Sequence, residues 1–175
     1  MPQKLQVNQI KITNKKKLEL NNDKLKGKIN NKTKLITIAN PKIHTGKIFS
    51  QKKIIFLLKK AKKYNSYVLI DEAYYGFHNY SSLPLLKVFS NLIITRTFSK
   101  IYGLAGLRLG WGYSSKEIID AMYQIKPPFN INRAALAAGI EAIKDNEWTK
   151  RAIEHNTLWS KKIFSVLKEF NIKTN

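Results

Sequence analysis

The sequence contains no cysteine, so disulfides and thiolate metal sites are excluded from the outset. No uninterrupted apolar run approaches the roughly 18 residues that a membrane-spanning helix needs. The first residues, Met1-Pro2-Gln3-Lys4, lack the apolar core of a signal peptide, which sets the expectation of a cytoplasmic protein. Arginine is scarce: all but four of the 32 basic residues are lysine, against 11 acidic ones. A net charge of +21 normally points to nucleic acid or an anionic surface. Here, however, the lysines are spread over loops and helix faces, with no arginine cluster and little aromatic interleaving. Together with abundant Asn and Ile, this is the composition of AT-rich coding sequence, and neither a specific nucleic-acid partner nor a membrane is expected.

What remains is ordinary for a globular protein. Hydrophobic residues make up 43% and aromatic residues 11% of 175 positions, enough for one domain with a sizeable core. Leu5 to Ile12 alternates apolar and polar residues as a strand does, and Asn21-Asn22-Asp23 caps a short helix through Ile29. Leu35 to Ala39 reads as a buried strand that ends in the loop Asn40-Pro41-Lys42-Ile43-His44-Thr45-Gly46. Ser50 opens a helix to about Tyr64 with Ile54, Leu58 and Ala61 on one face. Strands at Tyr67 to Ile70 and Leu92 to Ile94 flank a helix-or-loop region, Tyr75 to Val88. This alternation predicts a parallel sheet with right-handed crossovers.

The second half of the chain turns helical. Ser114 or Ser115 caps Lys116 to Ile125, with Ile118, Ile119 and Met122 facing inward, and Pro127-Pro128 stops it. Asn130 or Asn132 opens an alanine-rich helix through Ile143. Asp145 caps a long final helix, about Glu147 to Phe170, with the stripe Ala152, Trp159, Ile163 and Leu167. No internal repeat, low-complexity linker or domain boundary interrupts the chain.

Chemistry collects at three strand ends: Asn40 to Gly46, Asp71 to Tyr74, and Thr97 to Arg108. In a parallel sheet these ends share one edge, where open α/β sheets bind ligands. Lys100 lies just beyond its strand, beside the hydroxyls of Thr97 and Ser99 and a turn punctuated by Gly103 and Gly106, with Arg108 following. Hydroxyls, freed backbone N–H groups and an arginine suit a phosphate. A lysine beside a phosphate suggests a Schiff base to a phosphorylated aldehyde cofactor, although a surface lysine in a loop fits the same stretch. Asp71 could pair with a protonated ring nitrogen and Tyr74 with a phenolate oxygen. Asp71 could equally cap the segment after its strand, and Arg108 could pair with Glu72.

Taken together, Asp71-Glu72-Ala73-Tyr74, Thr97-Phe98-Ser99-Lys100 and Gly103-Leu104-Ala105-Gly106-Leu107-Arg108-Leu109-Gly110 closely resemble the fold-type I, class I/II aminotransferases. Pro128-Phe129-Asn130-Ile131-Asn132 and the alanine-rich helix after it place the resemblance nearest the histidinol-phosphate aminotransferase branch. The resemblance implies an α/β fold, a three-layer α/β/α arrangement with a mostly parallel sheet. Residues 1–175 would form the later part of the large domain, ending in a long helix, without the N-terminal part of that domain or the C-terminal small domain.

It also implies pyridoxal 5′-phosphate as cofactor, with Lys100 as its covalent and proton-moving residue. Asp71 would sit on the ring nitrogen, Tyr74 on the 3′ oxygen, and Thr97, Ser99 and Arg108 on the phosphate. The implied activity is amino transfer between an amino acid or amino-alcohol phosphate and a 2-oxo acid, in a homodimer or with a complementary chain. The family's loop reads Asn-Pro-x-x-Pro-Thr-Gly, commonly with an asparagine before the second proline; Ile43 and His44 stand at those two positions. The alternatives are a catalytically dead interaction module, half of a split enzyme, or a basic nucleic-acid-binding protein.

Overall fold

The computed structural model describes residues 28–172 apart from His44 and Asn79. The expected strand at Leu5 to Ile12, all but the end of the helix expected through Ile29, and any role of His44 lie outside the described residues.

Four strands form one sheet in the order β1-β2-β3-β4: β1 Leu35–Ala39, β2 Tyr67–Asp71, β3 Leu92–Thr97 and β4 Gly110–Tyr113. The first three are parallel, with Ile38 beside Ile70 and Ile70 beside Ile94, while β4 returns antiparallel with Gly110 beside Thr97. The mostly parallel α/β sheet is as expected. The third strand is longer than the apolar run that announced it, because β4 gives the polar Thr95-Arg96-Thr97 a ladder partner.

Helix α1, Gln51–Lys63, follows β1 with Ser50 at its N-cap and Lys60, Lys62 and Lys63 in its last turn, where cations complement the helix dipole. Its apolar face is Ile54, Leu57, Leu58 and Ala61, all buried. These residues pack on Val68, Ile70, Leu92 and Ile94, every second residue of β2 and β3, as the period of two in a strand requires. Leu85 and Phe89, at and just beyond the 3-10 turn Leu83–Lys87, close the same cluster. On the opposite sheet face Ile93 is buried, whereas Leu35 and Tyr67 are 53% and 41% exposed.

Helices α2 Lys116–Ile125, α3 Arg133–Lys144 and α4 Asn146–Glu169 follow β4. Asn132 Oδ1 accepts from Ala135 N at 2.7 Å and Asp145 Oδ1 from Trp148 N at 2.8 Å, so α3 and α4 start at the expected side-chain caps. Ala135 and Gly139 bring α3 close to the loop after β3, where Phe98, Leu109 and Ala135 form a second small core. A Cβ at Gly139 would lie 2.5 Å from Leu109 Cδ2, so close packing depends on the missing side chain.

Three expectations need correction. Strand β1, read as buried, buries none of its five residues because it stands at the edge of the described sheet. Helix α2 buries none of its residues: Ile118 and Ile119 are half-covered and Met122 is exposed. The stripe on α4 is likewise only partly covered, with Trp159 and Ile163 exposed and Ala152 and Leu167 half-buried. The apolar periodicity of both helices is real, but among the described residues nothing covers it fully.

Candidate active site

The carboxyl ends of β2 and β3 are neighbours, and the expected site residues lie there. Asp71, the last residue of β2, sits beside Thr95 in the ladder. Its Oδ1 accepts from Ala73 N at 3.0 Å and from Thr95 Oγ1 at 3.5 Å. This Asx-type bond is the local capping role that the sequence also allowed. It leaves Oδ2 without a hydrogen bond among the described residues. The chain then turns, with Tyr75 N donating to Glu72 O at 2.9 Å, which places Tyr74 on the outside of the bend.

Across the ladder, Ser99 N donates to Thr97 Oγ1 at 3.0 Å, which folds the chain sharply after β3 and presents Lys100. Lys100 is exposed, and its Nζ lies 5.3 Å from the centroid of the Tyr74 ring, within cation–π range. Asp71, Tyr74, Thr97 and Ser99 are half-buried. The loop is held from below by Gly103 N on Lys100 O at 3.0 Å and Leu104 N on Phe98 O at 2.9 Å.

Arg108 ends the 3-10 turn Ala105–Leu107 in the left-handed region, with φ 54° and ψ 40°. Its Nη1 donates to Ala105 O at 2.7 Å, so the guanidinium is folded against its own turn, exposed, with its other donors facing outward. The pairing of Arg108 with Glu72 that the sequence allowed does not form. Glu72 is occupied by Arg96, whose Nε and Nη2 donate to Glu72 Oε2 at 3.1 and 2.9 Å.

The profile of the family described as Aminotransferase class I and II matches residues 3–167. The chain belongs to that family. It is 43% identical over 152 residues to the histidinol-phosphate aminotransferase of Pelagibacter ubique, covering 85% of this chain and 42% of that protein. The crystal structure of the histidinol-phosphate aminotransferase from Clostridium acetobutylicum superposes with a TM-score of 0.79 at 26% identity, over 87% of this chain and 46% of that one. The Sinorhizobium meliloti histidinol-phosphate aminotransferase, solved in complex with pyridoxal-5′-phosphate, gives a TM-score of 0.60 at 30% identity, over 68% and 33% of the two chains. The fold is therefore the fold-type I aminotransferase fold. The chain spans about two fifths of the length of the curated relatives it matches.

Two further features of the candidate site were not read from the sequence. One is the Glu72–Arg96 pair, buried to 0% and 8% side-chain exposure. The scarcity of arginine was the available signal, since Arg96 interrupts an otherwise uncharged strand. The other is Trp148, in the first turn of α4, whose Nε1 donates to Ile101 O at 2.8 Å and so anchors the residue next to Lys100. No local signal ties Trp148 to a loop 47 positions upstream. Next to Glu72, burial pushes the His78 imidazole below its ordinary pKa; the Glu72 carboxylate opposes that shift and Arg96 adds to it. Among the described residues no group of three or more His, Asp or Glu side chains could hold a metal ion, and no helix is long and apolar enough to cross a membrane.

Proposed function

We propose that the chain is the later part of the large domain of a pyridoxal-phosphate-dependent aminotransferase, working as a homodimer or with a complementary chain. The observation that carries this reading is the meeting of Lys100 and Tyr74 on one sheet edge with Asp71 at the neighbouring strand end. The donor set fits the cofactor. The oxygen of Asp71 that has no hydrogen bond among the described residues suits a protonated ring nitrogen, the Tyr74 phenol a ring oxygen, and two hydroxyls with the exposed Arg108 guanidinium a phosphate. When bound, the cofactor supplies an electron sink for amino-group chemistry.

The chain's own residues supply the rest. Lys100 Nζ would hold the cofactor at its aldehyde carbon and, once the substrate amine has displaced it there, would be the free amine placed to carry the proton of the substrate's α-carbon. Asp71 keeps the ring nitrogen protonated. Tyr74 steadies the ring, with its face toward the lysine ammonium. Thr97, Ser99 and Arg108 anchor the phosphate and thereby fix the ring's position relative to Lys100. The names of the relatives support an amino-alcohol phosphate or amino acid as donor and a 2-oxo acid as acceptor.

Ile43 favours a second reading, a pairing module without catalysis. It is 56% exposed in the loop after β1 and offers no donor where the family commonly has an asparagine. The test that separates the readings is reductive trapping. Borohydride reduction after mixing with pyridoxal phosphate is expected to fix one cofactor on Lys100, and Lys100→Ala to abolish that label. Peptide mapping that found the label spread evenly over the surface lysines would overturn the aminotransferase reading for this chain.

A further inference from the structure

Among the described residues, one buried charge pair is used by none of the roles above. Glu72 Oε2 receives Arg96 Nε, Arg96 Nη2 and Ser81 Oγ, while Oε1 accepts from Ser82 N at 2.5 Å. Arg96 Nη2 also donates to Ser81 Oγ at 2.7 Å. The guanidinium carbon lies 3.4 Å from the centroid of the Tyr75 ring and 5.9 Å from that of Tyr113 on β4. One arginine thus grips the end of β2, the turn after it, the Ser81-Ser82 segment and the antiparallel strand β4.

Burying two ions is costly, and an apolar pair of the same volume often stabilises a fold equally well. The position of this pair therefore calls for a reason other than stability. Three residues of the grip are chain neighbours of proposed site residues: Glu72 follows Asp71, Tyr75 follows Tyr74, and Arg96 stands between Thr95, which bonds Asp71, and Thr97. Because side chains alternate across a strand, Arg96 points to one face while Thr95 and Thr97 point to the other. The turn that separates Asp71 from Tyr74 is held at its first corner by the ion pair and at its last by the ring stack.

We propose that Arg96, through Glu72 and Tyr75, is a positioning residue that fixes the Asp71 carboxylate and the Tyr74 phenol relative to the cofactor ring. This rests on the aminotransferase reading above. It goes beyond that reading by assigning a role to three residues that touch neither the cofactor nor the substrate.

The decisive comparison is the parent chain against Glu72→Gln/Arg96→Met. In that double variant the amide still accepts from Ser82, the methionine stem still packs on Tyr75, and no unpaired charge is left buried. The apo unfolding midpoint is expected to stay near that of the parent. Affinity for pyridoxal phosphate should fall about tenfold, and the pH midpoint of the bound cofactor's visible absorption should move by about one unit, as a displaced carboxylate requires. Tyr75→Leu, which alters only the exposed stack, should show the same two changes at about a third of the size and keeps the question open to measurement if the double variant unfolds. If either folded variant binds and titrates the cofactor as the parent does, the positioning role is overturned and the aminotransferase reading stands. If the parent takes up no pyridoxal phosphate on Lys100, both fall.

Discussion

The β1–β3 layer with α1 and the three helices after β4 carry the same kind of sequence signal and reach different ends. In the first region Ile54, Leu57, Leu58, Val68, Ile70, Leu92 and Ile94 interlock and are almost completely excluded from water. In the second, α2 and α4 bury no residue, and Phe129 between α2 and α3 is 98% exposed. Apolar residues at helical spacing report which face a helix will bury. They do not report what will cover it. The candidate site is built on the packed region and borrows from the open one through α3, packed beneath its loop, and through Trp148, which reaches back to Ile101.

The contrast is sharpest in stability. Leu58→Ala removes a fully buried side chain of α1 and should cost about 2–5 kcal/mol, whereas Ile163→Ala on the α4 stripe should stay within about 0.5 kcal/mol of the parent. Denaturant unfolding of the two variants checks the difference. Equal losses would mean that the α4 stripe is covered in solution.

A smaller effect probes the link between the regions. Gly103 has φ +70°, and a Cβ there would lie 2.9 Å from the Trp148 ring. Gly103→Ala should therefore destabilise by about 1–3 kcal/mol. In a Trp148→Leu background the steric part should disappear and the backbone part remain, so a double-mutant cycle should return a coupling of about 1 kcal/mol. No coupling would mean that α4 does not touch the Lys100 loop in solution.

The smallest expected effect concerns acid. The folded-state pKa of His78 is lowered by burial, so the unfolded chain takes up the proton first. The contribution of His78 to stability is fully present above the unfolded value of about 6.5 and is lost as pH falls through the lower, folded value. Urea midpoints at about pH 7.5 and about pH 5.5 should drop more for the parent than for His78→Gln. Equal drops would remove His78 from the acid response.

Local chemistry explains what could be read ahead of the structure. Leu35 to Ala39 and the Ser50 helix announce themselves through period and cap, and Asn132 and Asp145 do cap their helices. Asp71, Tyr74 and Lys100 were legible as a site because parallel strands bring their carboxyl ends to one edge. Arg96 was not, because its partner lies 24 positions away and nothing in Thr95-Arg96-Thr97 shows which face will be buried. The fold of Arg108 onto Ala105 was equally hidden, since it depends on a left-handed backbone at a residue other than glycine. The uncovered faces of α2 and α4 depend on what lies against them, and periodicity carries no such information.

The Glu72–Arg96 pair also bears on how the sheet finds its alignment. Leu92, Ile93 and Ile94 are all apolar and all buried, yet a shift of β3 by one residue against β2 would put Asn91 or Thr95 where Leu92 or Ile94 faces α1. Hydrophobicity therefore already disfavours the shifted alignment. The shifted sheet would set a threonine where Arg96 stands and strand a carboxylate in the interior without a cation, at a cost of about 3–5 kcal/mol. The ion pair adds to the penalty on the misaligned sheet, in which Asp71 and Thr95 would no longer stand side by side.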